Sequence, residues 1–87
     1  MKYTVVNAPV ADEQLADIWI EAKDRQGVAD AFNRIESSLK HDAHQQGREH
    51  PNGWRVLIVP PLAVTFHVSD EDRLVRILSV AYLHSVD

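Results

Sequence analysis

The chain has 87 residues, 45% of them hydrophobic, with nine Lys and Arg against 13 Asp and Glu for a net charge of −4. That length and apolar content make one small domain, residues 1–87, with a single core, and the acidic balance excludes a general attraction to nucleic acid or anionic membrane, leaving only local basic patches. The absence of cysteine excludes disulfides and thiolate metal sites and fits a reducing cytoplasm, while no apolar run approaches the ~20 residues of a membrane span.

Residues 2–6 (KYTVV) are short, β-branched and aromatic, which predicts a strand. The N-terminus lacks the basic segment followed by a long apolar stretch that marks a secretory signal. Pro9 suits the first position of a helix, where its missing N–H costs nothing. Asp12 and Glu13 then favour the positive helix end, although Ala8 is a poor N-cap. Leu15, Ile18, Trp19 and Ala22 recur at helical spacing and predict one apolar stripe, with Trp19 in the core. Lys23-Asp24 breaks the pattern, and Asp24 can cap a second helix over 25–41. Its stripe is Val28, Ala31, Phe32, Ile35 and Leu39, and Lys40 and His41 complement its negative end. A link this short folds the helices back as an αα-hairpin, whose stripes must be covered by a sheet.

Residues 42–53 (DAHQQGREHPNG) are polar, with two glycines and a proline, and predict a loop. The last third, 54–83, predicts three strands. Trp54, Val56 and Ile58 alternate with Arg55, Leu57 and Val59. Pro60 and Pro61 end that strand in a turn that admits a cis bond. Leu62, Val64, Phe66 and Val68 take one face of the next strand, and Ala63, Thr65 and His67 the other. Ser69-Asp70-Glu71-Asp72 is a polar turn, and the final strand covers 73–83. Short connections pair these three antiparallel as a meander. The predicted order is β-α-α-β-β-β, an α+β fold with a small twisted antiparallel sheet and the αα-hairpin on one face.

That order, the opening KYTVV followed by a proline and helix, and the run GWRVLIVPPLAVTFHVSDEDRLVRILSV resemble the RelE/ParE toxins of type II toxin–antitoxin systems, the plasmid-stabilisation family, over essentially the whole chain. The resemblance implies a bacterial cytoplasmic toxin that inhibits growth and is silenced by a cognate antitoxin. It implies one of two targets, mRNA on the ribosome, cut without metal or cofactor, or DNA gyrase. The antitoxin is expected to lay a helix or strand along the hairpin and sheet edge. Carried over by position, Arg55 matches the basic residue of the first meander strand. Tyr82 and His84 lie near the terminal acid or base, so the implied catalytic residues are Arg55, Tyr82 and His84. The chain departs from the pattern at Leu57, Ala63 and Leu83, where cations are usual. That departure favours the alternative of a non-catalytic, decayed toxin that only binds an antitoxin-like partner.

Other groups have plainer readings beside their functional ones. Arg55, Arg73 and Arg76 form either a phosphate-facing patch or ordinary salt bridges to Asp70, Glu71 and Asp72. His41, His44 and His50 read as a solvated loop in preference to a metal site. His67 reads as a half-exposed strand residue, with proton transfer as the minority alternative. Trp54, beside the loop, is expected to be partly exposed. No nucleotide-loop or Ser/His/Asp signature is present.

Overall fold

The computed structural model describes residues 2–50 and 53–83. Its elements are β1 (Thr4–Asn7), α1 (Pro9–Glu21), α2 (Arg25–Asp42), a 3-10 turn (Ala43–Gln45), β2 (Arg48–Glu49), β3 (Arg55–Val59), β4 (Leu62–Ser69) and β5 (Leu74–Tyr82). The strands form one five-stranded sheet in the order β1-β5-β4-β3-β2. The meander β3-β4-β5 is antiparallel as expected. β1 joins β5 in parallel, so the sheet is mixed. The helices carry β1's chain across the sheet before the meander begins, and a crossover of that length permits parallel pairing.

The helices cover one face. α1 lies over β5, and α2 reaches β1, β3 and β4. The core between them is built from Val28, Ala31, Ile35 and Leu39 of α2, Leu62, Val64 and Phe66 of β4, and Val75, Ile77 and Val80 of β5. Each large side chain among these contributes about 1.5–3 kcal/mol by leaving water. Ile77 and Val80 are three apart, yet both face the helices. A bulge allows this: Phe66 pairs with Ile77 and Thr65 with Ser79, which leaves Leu78 as the extra residue. The alternation of β5 resets there, so Leu78 and Ser79 both go to the opposite face.

α1 is rotated from its expected setting. The residues packed on the core are Ala11, Leu15, Ile18 and Ala22, whereas Trp19 is 41% exposed. The expectation of a core Trp19 is therefore corrected. Small residues at 11 and 22 let α1 lie close to β5, and the indole falls one step round the helix. Pro9 opens α1 with no side-chain cap at Ala8, and Asp24 caps α2 by accepting from the Gly27 N–H, both as expected. Arg25 ties the link together, its Nε donating to the Trp19 carbonyl at 2.9 Å and its Nη2 to Ile20 at 3.1 Å. A cation there satisfies orphan carbonyls and opposes the negative helix end. β5 outruns β1 beyond Ile77, and the Val80 N–H left over is taken by Gln14 Oε1 of α1 at 2.8 Å.

The segment expected to be a plain loop carries more order. α2 continues to Asp42, Ala43 is fully buried, and Arg48–Glu49 add an edge strand to β3. Pro60-Pro61 forms the β3-β4 turn with a cis bond. Three separate segments meet at Asp70 in the β4-β5 turn. Its Oδ1 accepts from the Tyr3 hydroxyl at 3.1 Å and lies 2.5 Å from His44 Nε2. The His44 hydrogen bond, reinforced by that of Tyr3, holds the Asp70 carboxyl below its usual range against some desolvation. Desolvation and then the Asp70 bond raise the Tyr3 phenol.

A depressed carboxyl stabilises the fold above its unfolded value and loses that contribution as pH falls through the folded one. A raised phenol loses its contribution as pH climbs past its ordinary value of 10.0. Asp70→Asn is therefore expected to lower Tm at pH 6, and the gap from the parent chain should close by pH 2. A gap that persists at pH 2 would show that Asp70 acts by shape and not by charge.

Candidate functional site on the open sheet face

The helices leave the other sheet face uncovered, and strand register states which side chains it carries. Alternation places Val56 and Ile58 of β3, Ala63, Thr65 and His67 of β4, and Arg76, Leu78 and Ser79 of β5 there. His67 pairs directly with Arg76, and Thr65 with Ser79. Side chains so opposed have Cβ atoms about 5 Å apart. Arg48 of β2 pairs with Val56 and shares this face. Trp54 precedes β3 by one residue, just past the last β3-β4 pair Arg55-Phe66, and is 44% exposed. Its carbonyl accepts from the His50 N–H at 2.7 Å, which brings the 48–50 segment over the sheet margin.

Two rows of side chains result. One runs Trp54, His67, Arg76, and the neighbouring row runs Arg48, Val56, Thr65, Ser79. Between them is an open depression of about 430 Å³ lined by His50, Trp54, Val56, Thr65, Leu78 and Ser79. The bulge shapes it, because the extra residue delivers Leu78 as floor and Ser79 as wall. His67 and Arg76 are both exposed. The depression offers a flat aromatic ring, the His50 imidazole and a pair of hydroxyls around one apolar floor, and the His67 imidazole and Arg76 guanidinium share the same sheet face beside it. Such a set can stack a planar group, hold an anion and move a proton.

The residues implied by the family resemblance lie elsewhere. Arg55 pairs with Phe66, on the helix-covered face. Its side chain is 16% exposed. Its Nε donates to the Gln46 carbonyl at 2.8 Å and its Nη2 to the Gly47 carbonyl at 3.3 Å, with Glu49 at 3.6 Å from Nη1. Tyr82 also belongs to the covered face, packed against the core at the far end of β5, level with Leu62 and Val59. From Arg55 to that row is about 13 Å along the strands and about 10 Å across them, so the two residues stand about 16 Å apart and are not brought together. His84 lies outside the described residues. Leu57 is likewise on the covered face, and Ala63 on the open one.

Sequence reasoning had noted Trp54, His67 and Arg76 separately but did not join them. The usable signal was the sum of residue numbers across each hairpin, which aligns 54 with 67 and 67 with 76. The bulge at Leu78 leaves no such signal. Among the described residues no group of three or more potential ligands is placed to hold a metal ion, and no helix is long and apolar enough to cross a membrane.

The fold is that of the RelE/ParE toxins, with two helices on a mixed sheet ending in a three-stranded meander. A chain of the toxin–antitoxin complex RelBE2 from Mycobacterium tuberculosis matches at a TM-score of 0.78 and 19% identity, covering 94% of this chain and 99% of that one. A chain of the chromosomal ParDE system from P. aeruginosa matches at 0.69 and 19% identity, covering 95% and 98%. The isolated E. coli RelE toxin matches at 0.60 and 15% identity, covering 98% and 88%. No protein-family model matches the chain, and no curated protein does.

Proposed function

We propose that this chain is the toxin of a type II toxin–antitoxin pair, acting in the cytoplasm and arresting growth when its antitoxin is absent. The observation that carries the reading is the likeness to RelE and to chains of RelBE2 and ParDE complexes over 94–98% of this chain. The open sheet face is its working surface, and RNA is the target its chemistry fits. Trp54 offers a stacking platform for a base, Arg76 a phosphate contact, and His67 a proton carrier for attack by a ribose 2′-hydroxyl. In this proposal Arg55 and Tyr82 support the covered face, and His67 and Arg76 take the chemical roles the resemblance assigned to Arg55, Tyr82 and His84.

Induced expression is expected to stop growth, and co-expression of a short neighbouring reading frame to restore it. Primer extension should then map breaks within translated mRNA, lost in Arg76→Ala and His67→Ala at unchanged soluble level. Harmless accumulation of folded protein would count against the toxin reading.

A second reading, a gyrase-directed or purely antitoxin-binding protein, is favoured by one observation. Arg48 and Arg76 are the cations that strand register places on the described open face, in a chain of net charge −4. Cleaved plasmid held by gyrase, with intact mRNA, would select the gyrase form of that reading.

A further inference from the structure

The wall of the open-face depression is set from the far side of the sheet. In a regular strand every second residue points its N–H and C=O to the same edge. The Ile77 carbonyl of β5 faces the β1 edge, where it accepts from the Ala8 N–H at 2.8 Å. Without a bulge, the next N–H on that edge would belong to Ser79. It belongs instead to Val80, and Gln14 Oε1 of α1 accepts it at 2.8 Å. The extra residue at Leu78 and the Gln14 hydrogen bond therefore express one register. A slip to regular pairing would turn Ser79 toward the helices and Val80 to the open face.

Gln14 stands where a sheet-facing helix usually carries an apolar residue. Ala11 and Ile18, one turn to either side, pack on the core, and Gln14 on the same stripe is half-buried. An acceptor there satisfies an N–H that an apolar side chain would leave unpaired. On the opposite face the same register sets Ser79 across from Thr65, with Cβ atoms about 5 Å apart. Both line the depression, as does Trp54. Among the described residues neither hydroxyl has a hydrogen-bond partner. Two half-buried, unengaged hydroxyls beside an indole and an apolar floor suit a flat ring with polar edges. A nucleobase has that chemistry.

We infer that the depression is a base-reading subsite and that Gln14 is its positioning residue. One RNA base stacks on Trp54, and the Thr65 and Ser79 hydroxyls bond its edge. Affinity comes from the stack, and selection among bases from the edge bonds. Gln14 touches no ligand. It acts through the Val80 N–H, which holds the bulge that presents Ser79. The ligand class rests on the RNA reading of this face. Binding is read below without cleavage, so the subsite and the ribonuclease reading fail separately.

The test uses four trinucleotides, UXU with X as A, G, C or U, on 2′-fluoro sugars that lack the attacking hydroxyl. They are titrated into the Trp19→Phe chain, where Trp54 alone reports. Quenching of Trp54 is expected, with affinities for the four spread on the order of tenfold. Ser79→Ala and Thr65→Val should each shrink that spread to about twofold while quenching persists. Gln14→Met, which has no acceptor, should shrink it equally from behind the sheet and move the Leu78 and Ser79 amide NMR signals. Gln14→Glu keeps an acceptor in reach and should restore the spread. Gln14→Asn, one methylene shorter, should fall between them, and it serves if Gln14→Met does not fold. A parent-like spread in the folded Met or Asn variant removes Gln14 from the subsite. Equal weakening toward all four trinucleotides gives it a merely structural role. No quenching, or quenching without preference, overturns the subsite itself. Message cutting without such quenching would leave the ribonuclease reading standing alone, and base preference without cutting would leave only the subsite.

Discussion

Gly47→Ala is expected to lower stability by about 3 kcal/mol or more, enough to drop Tm by roughly 12–24 °C in a chain this size. Two causes act at once. Gly47 has a φ of +69°, where an L side chain is strained. An added Cβ would also stand 2.1 Å from the Val56 carbonyl oxygen and 2.7 Å from its carbon. Those atoms belong to the backbone of β3, which is paired with β4, so they cannot swing aside as a side-chain tip would. Gly53 supplies the control. Its φ is +82°, but nothing lies within 4 Å of the added Cβ. Gly53→Ala therefore feels the backbone strain alone, about 1 kcal/mol. Urea or thermal melts of the two variants separate the terms. Equal losses in both would mean that the 46–49 segment moves off β3 at little cost.

Arg55→Ala is expected to cost about 2–4 kcal/mol, because two carbonyls lose a charged donor in a partly buried place. An arginine in a phosphate-facing surface patch, one of the readings the sequence offers for Arg55, would leave the fold intact on truncation. The structure instead makes it the clasp between β3 and the segment that follows α2. Arg55→Lys should recover less than half of the loss, since an ammonium cannot reproduce the fork that spans Gln46 and Gly47. Hydrogen exchange should show faster opening of residues 43–49 in both variants, ahead of β4 and β5. If Arg55→Ala also reduces growth arrest, the comparison has to be made at equal folded protein. A variant as stable as the parent but inactive would return Arg55 to the reaction.

These two residues show where reading the chain stops. Helix α2 was legible because Asp24, the stripe Val28, Ala31, Ile35, Leu39 and the basic end all act within a few residues of one another. The meander was legible for the same reason: Pro60-Pro61 and the acidic turn fix short connections, and short connections allow only antiparallel pairing. The face of β4 followed from its period of two. From that local chemistry the chain determined the order of its two helices and four main strands and its α+β class, while the edge strand β2 was not legible.

What the tertiary structure alone decided is how those elements meet. Trp19 is at the rim because helix rotation depends on how close Ala11 and Ala22 let α1 approach β5, a property of two elements together. β1 runs parallel to β5 because a crossover, and no turn, joins it to the sheet. Arg55 turns inward because carbonyls from residues eight and nine earlier in the chain are waiting there. The bulge at Leu78 has no spelling in β5 itself, since it answers to the register that β4 and α1 impose. A site assembled from Trp54, His67 and Arg76 is likewise a consequence of pairing, because distance along a chain says nothing about distance across a sheet.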